Sequence, residues 1–205
     1  MIWQITKKDL GMLKLYLILV IFLLPLLHAG DFGDIGVYIY LLLFATYFTF
    51  YIDSQKAVNR FMVSLPLSRK SIIASRYLVI ISVLVGTLLL HYLSDFLLQI
   101  IFPQLIFTEV DGLMIFFLLG FLFIHLSVNL PIYYLTKSFL LAFSINFYLS
   151  IMAMIVAYAI VNSIALSEFL KGLPVNPYLL LAFISISSLY MSYRLSVFIF
   201  SKKDL

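Results

Sequence analysis

The chain has 205 residues, 64% hydrophobic and only 11% charged, with a mean hydropathy of +1.16. A water-facing surface needs roughly 25% charged residues, so a soluble globular domain is excluded and the chain reads as an integral membrane protein. With no cysteine, disulfides, thiol catalysis and thiolate metal sites are excluded as well. The net charge of +4 is the surplus of loops on one side of a membrane rather than a nucleic-acid footprint.

Residues 1–10, MIWQITKKDL, set Ile2, Trp3, Ile5 and Leu10 against Gln4, Lys7, Lys8 and Asp9. That mixture predicts an amphipathic helix in the headgroup layer, with Trp3, Lys7 and Lys8 as interfacial anchors. These charges precede a span with no small-residue cleavage site, which reads as a retained first span rather than a removed signal peptide. Six apolar stretches follow, at about 12–27, 35–52, 77–95, 113–135, 139–161 and 178–200, near the roughly 20 residues that a helical span needs. HAGDFGD (residues 28–34) is a polar turn, and Tyr47 to Tyr51 form an aromatic belt at the end of the second stretch. Residues 96–111 are apolar but interrupted by Gln99, Pro103 and Gln104, which predicts an interfacial or re-entrant piece. Asn129-Leu130-Pro131 marks a kink in the fourth span, and Lys137 a very short turn before the fifth. Residues 162–177 are again a polar and apolar mixture with Gly172, Pro174 and Pro177.

Six spans put both termini on one side. On that side fall Lys7, Lys8, Lys14, Lys56, Arg60, Arg69, Lys70, Arg76, Lys137, Arg194, Lys202 and Lys203, leaving Lys171 alone opposite. Cationic loops stay cytoplasmic. The sequence therefore predicts one all-α domain over 1–205, multi-pass in the cell membrane, with both termini in the cytoplasm.

Between the second and third spans lies the polar stretch from Asp53 to Leu78, with Lys56, Arg60, Arg69, Lys70 and Arg76 against one acid, Asp53. Phe61-Met62-Val63, Leu65, Leu67 and Ile72-Ile73 interleave with these cations. Pro66 suits the first turn of a short helix, since it lacks an N–H and has a fixed φ. Ser64 or Leu65 precedes that helix, and Lys70 and Arg76 lie beyond it. Two readings stand: a helix presented to a soluble partner, or one held on the lipid surface by anionic headgroups, at about 1 kcal/mol per cation.

No glycine-rich phosphate cradle of the G-x-x-x-x-G-K-[ST] type occurs, so any ATP is bound by another chain and no cofactor is expected in this one. His91 and Asp95, and His125 and Asn129, are spaced four apart on spans and share helix faces. H-x-x-x-N resembles one element of the intramembrane CAAX-type proteases, which also need a paired-glutamate motif. The only glutamates here are Glu109 and Glu168. A metalloprotease-like enzyme is thus an alternative without its acid pair, and no catalytic or metal residue is assigned. His91, His125 and Asn129 read as polar residues lining a helix interface or a path.

Asp53, Lys56, Arg60, Ser64-Leu65-Pro66-Leu67-Ser68-Arg69-Lys70, Ile72-Ile73 and Arg76-Tyr77-Leu78 resemble the first cytoplasmic loop of small ABC-2-type transporter permeases. Members show a D-x-x-K start, an S-L-P-[IVL]-[ST]-R-[KR] core, a hydrophobic pair and a [KR]-Y-L exit. The amphipathic N-terminus, six spans and the mixed segment before the last span agree with the resemblance along the whole chain. The resemblance implies that Ser64 to Lys70 form a coupling helix docking on a separate ABC ATPase subunit. It also implies a second permease subunit, identical or a paralogue, and a short re-entrant or interfacial piece at 162–177. The cargo would leave the cell; large apolar walls fit an amphipathic, peptide or antibiotic-like one. Members often carry Glu after Arg-Lys, where this chain has Ser71. An ABC-associated sensor or immunity protein that moves nothing is the remaining alternative.

Overall fold

The computed structural model describes residues 14, 16, 18, 20, 34–55, 68–101, 112–161 and 176–202, and over these it is all-helical apart from short turns and caps. Five helices follow in chain order: α1 (Asp34–Gln55), α2 (Arg69–Ile101), α3 (Gly112–Leu135), α4 (Phe139–Val161) and α5 (Pro177–Ser201). Helices are the expected outcome for such apolar segments, because a helix satisfies its backbone polar groups internally where no water can. Positions 14, 16, 18 and 20, from the first expected span, are helical too, and Tyr16 and Val20 are buried in the core. The expected N-terminal helix with Trp3, Lys7 and Lys8, the centre of the basic insert (Ser64 to Leu67), and residues 102–111 and 162–175 lie outside the described residues.

Among the described residues, four helices are long and apolar enough to cross a membrane, over Arg69–Leu90, Leu118–Leu135, Phe139–Val156 and Tyr178–Ser201. α1 contributes a shorter apolar stretch, Tyr38–Tyr51. The third span was expected near 77–95, after a separate short helix. Instead α2 runs unbroken from Arg69 to Ile101. The reason lies in its buried side chains: Ile72, Ile73, Arg76, Tyr77, Ile80, Val83, Leu84, Thr87 and Leu88 recur at helical spacing, so one inward stripe carries the basic stretch straight into the span. Gln99 does not break it. Its described residues reach Ile101, and Pro103 follows, a residue that disfavours helix at the position before it. Its 33 residues span about 50 Å at 1.5 Å per residue, more than the roughly 30 Å of bilayer hydrocarbon, so α2 projects beyond it.

Ring contacts fix the helix directions. α3 and α5 make the most extensive helix pair and run parallel, with Phe116 near Tyr178 at 6.2 Å toward one end and Tyr134 near Phe200 at 5.7 Å toward the other. Gly120 permits their close approach, since a Cβ there would fall 2.8 Å from Cγ of Leu181. α1 meets α4 head to tail through Tyr47, which lies 5.4 Å from Phe139 and 4.9 Å from Phe143, and meets α3 through Phe50 stacked on Tyr133 at 4.3 Å. The C-terminal ends of α1, α3 and α5 and the N-terminal ends of α2 and α4 therefore gather at one end of the bundle. That end carries Arg69, Lys70, Lys137 and Lys202. α1, α2 and α3 carry most of the buried side chains. α4 and α5 are peripheral, with 17% and 22% of their apolar windows buried.

Candidate functional site

Two groups of polar side chains stand out against this apolar bundle. The first is at the basic end. Ser68 is the N-cap of α2: the Ser71 N–H donates to Ser68 Oγ at 3.2 Å, and the two hydroxyls meet at 2.8 Å. Ser71 occupies the third helical position, where a glutamate would be the reciprocal partner in a capping box. The chain's departure from the resembled motif at this position exchanges one cap for another. Arg69 then reaches across to α5. Its Nη1 donates to the carbonyls of Phe200 at 3.0 Å and Ser201 at 2.7 Å. Carbonyls in a last helical turn lack intrahelical donors and carry the negative end of the helix dipole, so a guanidinium is well matched to them. Lys70 is exposed, and its carbonyl receives the Tyr193 hydroxyl at 3.5 Å.

Of the seven residues expected to form the coupling segment, Ser68, Arg69 and Lys70 thus sit at the head of α2, while Ser64, Leu65, Pro66 and Leu67 lie outside the described residues. Arg76, counted in the sequence as a loop cation, is 1% exposed and faces the core of the bundle. One residue later, the Tyr77 hydroxyl bonds to Ser192 Oγ at 2.7 Å and Ser196 Oγ at 2.8 Å, both on α5.

The second group lies halfway along α3 and α4. Asn129 Nδ2 bonds to His125 Nε2 at 2.8 Å, and Ser150 Oγ of α4 meets the same nitrogen at 3.2 Å. An amide nitrogen only donates, so in this arrangement Nε2 accepts from both and the ring is neutral with its proton on Nδ1. Asn146 of α4 donates through Nδ2 to the Asn129 carbonyl at 3.3 Å. Asn129, Asn146 and Ser150 are fully buried, and His125 nearly so. The oxygens Asn129 Oδ1 and Asn146 Oδ1 are buried without a hydrogen-bond donor, and the Tyr133 hydroxyl stands beside Asn146 and Thr46 outside bonding geometry.

His125 and Asn129 share a face and touch, whereas the side chains of His91 and Asp95 on α2 lie outside the described ones. Sequence reasoning missed Asn146 and Ser150. Their spacing of four in an apolar span is the same signal that singled out His125 and Asn129. It also missed Ser192 and Ser196, again four apart. Among the described residues, no three of His, Asp and Glu come together in a way that suits a metal. A narrow, partly open cleft lined by Tyr16, Tyr38, Val83, Thr87 and Leu122, among others, leaves about 10 Å³ of free space, room for about one water. Ligand pockets for drug-sized molecules occupy about 300–1,000 Å³, so this one is too small for a bulky cargo.

No curated protein and no solved structure matches the chain. The sequence pattern of the family described as ABC-2 family transporter protein matches residues 4–201, nearly its whole length. With its apolar helices and the basic stretch leading into α2, the chain belongs to the ABC-2 transporter family and is a multi-pass membrane subunit of an ABC transporter.

Proposed function

We propose that this chain is the permease half of an ATP-driven exporter in the cell membrane, with both termini in the cytoplasm and ATP bound by a separate subunit. A second permease, identical or a paralogue, completes the path. The segment from Ser64 to Lys70 docks on the ATPase, with Leu65 and Leu67 as apolar anchors. The cargo is amphipathic, of the peptide or antibiotic kind. His125 and Asn129, with Asn146 and Ser150, supply the polar part of the path.

The observation that carries this reading is the junction at Ser68. Its side chain caps α2, and the next residue already belongs to a helix that continues through the membrane-length window. A displacement delivered at Ser68 passes directly into a helix of membrane length. ATPase closure can bias the spans only through differential affinity for their two arrangements, and a stiff junction delivers that bias.

Co-purification from native membranes tests the reading. An interface anchor filling a pocket loses about 2 kcal/mol or more on truncation, so Leu65→Ala/Leu67→Ala should release an ATPase subunit that accompanies the wild-type chain. If none accompanies the wild type, and binding to anionic vesicles falls on neutralising Lys70, the segment is a lipid-surface helix instead. The enzyme alternative is less well supported, because His125 Nε2 is already engaged by Asn129 and Ser150. A non-transporting sensor would capture the ATPase too, and differs in showing no cargo-stimulated hydrolysis.

A further inference from the structure

Within the exporter reading, on which this inference rests, the docking segment acts on α2, yet one helix moving alone opens no path. The question is what moves with it. α2 and α5 run antiparallel, and besides a long 3.5 Å bond from the Tyr193 hydroxyl to the Lys70 carbonyl, two shorter ties join them near the basic end. Arg69 Nη1 clamps the terminal carbonyls of α5. About two turns further along, the Tyr77 hydroxyl sits between Ser192 Oγ and Ser196 Oγ at 2.7 and 2.8 Å.

All three side chains of the second tie are buried, at 5% exposure for Tyr77, 5% for Ser192 and 0% for Ser196. A phenol has one proton to donate and can accept a second bond. Ser192 and Ser196 are one turn apart, so this single oxygen fixes α5 against both sliding and rotation relative to α2. The Tyr193 ring packs edge-on to Tyr77 at 5.8 Å, which limits swivelling of the phenol. α5 in turn is packed along α3 through Gly120 and Leu181.

We propose that Tyr77 is the positioning residue of coupling. Its hydroxyl latches α5 to α2, so that displacement of the docking segment moves α2 and α5 as one body and carries α3 with them, while α4 stays behind. Arg69 makes the same connection at the helix end, where water competes. Tyr77 makes it inside the bundle, where water does not. No charge moves and no bond breaks in the latch; it transmits position.

The chain lacks cysteine, so spin labels can be placed cleanly. Leu78 on α2, Leu195 on α5 and Tyr148 on α4 are exposed and accept them. Pulsed electron resonance on the complex with its ATPase, with and without ATP plus vanadate, gives the distances. In the wild type the 78–195 distance should hold while the 148–195 distance changes.

In Tyr77→Phe, which removes one oxygen, and in Ser192→Ala/Ser196→Ala, which removes its partners, the 78–195 distribution should broaden. On nucleotide binding it should shift by up to about 5 Å, one helical turn. Combining the variants should add nothing further, as expected for one shared interaction. ATPase capture should equal wild type in all of them, since none alters Ser64 to Lys70. A narrow 78–195 distribution in Tyr77→Phe that tracks the wild type in both states overturns the latch, as does a wild-type 78–195 distance that changes with nucleotide. If the wild-type chain captures no ATPase, the exporter reading fails. The latch is then judged on the permease alone: supported by a narrow distribution in the wild type and a broad one in Tyr77→Phe, overturned by equal widths.

Discussion

Replacing Asn146 by leucine should stabilise this protein. In the structure Asn146 makes one hydrogen bond across the α3–α4 contact, the 3.3 Å bond to the Asn129 carbonyl, while its Oδ1 is buried with no donor. A side-chain hydrogen bond between membrane helices is worth about 0.6 kcal/mol on average, and a long one less. A buried acceptor left without a partner costs about 1–3 kcal/mol. Leucine removes both, at similar volume, so the net should be a gain of roughly 0.5–2.5 kcal/mol. For a chain of this size, about 2–4 °C of melting temperature accompanies each kcal/mol. Thermal unfolding in detergent, followed by circular dichroism, reads this directly. Ser150→Ala is the control of opposite sign, because it removes a donor to His125 Nε2 and leaves no orphan oxygen behind. A fall of more than about 1 kcal/mol on Asn146→Leu would refute the reasoning, since losses of that size accompany the breaking of a satisfied buried bond. If the gain in stability comes with a loss of transport, the orphan acceptor serves function rather than fold.

Gly120→Ala should weaken the α3–α5 contact by about 1–3 kcal/mol of overpacking, offset by about 1 kcal/mol of helix propensity, and Leu181→Ala should restore the loss; destabilisation that survives the double substitution would place the clash elsewhere. Arg69→Ala should expose the last-turn carbonyls of α5 and raise hydrogen exchange near Phe200, with Arg69→Lys in between, since a point charge meets the dipole but lacks the fork; unchanged exchange would mean that the guanidinium serves another partner. Topology reporters inserted near Ser68 and fused after Leu205 should read cytoplasm, and one near Asp111 outside; a cytoplasmic reading at Asp111 would overturn the assignment of every later span.

The membrane class and the helical runs were legible because composition and apolar length suffice for them. The break between α3 and α4 was legible too, since Lys137 interrupts an otherwise apolar run and the helices end at Leu135 and resume at Phe139. The start of α5 carries an asparagine cap followed by Pro177 at the first helical position, with Asn176 Oδ1 accepting from the Tyr178 N–H at 2.9 Å, a pattern readable from sequence alone. The start of α2 was not legible. Five cations in 26 residues read as a loop, but Arg76 turns inward and Ser68 supplies a cap, so the helix begins well before the apolar run does. The polar centre was half legible. His125 and Asn129 announce themselves by type and spacing, while Asn146 and Ser150 belong with them only through the α3–α4 packing, which no single-helix pattern contains. Tyr77 was hidden in a different way. Among 14 tyrosines, nothing in the sequence marks the one that finds two buried serines.

The two polar seams of the bundle differ in quality, and the difference bears on mechanism. Between α2 and α5 the Arg69 and Tyr77 bonds are 2.7 to 3.0 Å, with one longer bond of 3.5 Å from the Tyr193 hydroxyl to the Lys70 carbonyl, and the Tyr77 hydroxyl is satisfied on both sides. Between α3 and α4 they are 3.2 and 3.3 Å, and two carboxamide oxygens there have no donor. Polar groups inside a membrane protein are worth more when satisfied and cost more when not. The first seam therefore resists separation. The second has little to lose by parting, and stands to gain if water or a hydrogen-bonding cargo reaches Asn129 Oδ1 and Asn146 Oδ1. α4 is also the helix with the smallest buried share among the four of membrane length, so the apolar area opposing its movement is the least. Within the exporter reading proposed above, a bundle fastened on the α2–α5 side and loosely closed on the α4 side would open, under a force applied at Ser68, where its polar groups are unsatisfied.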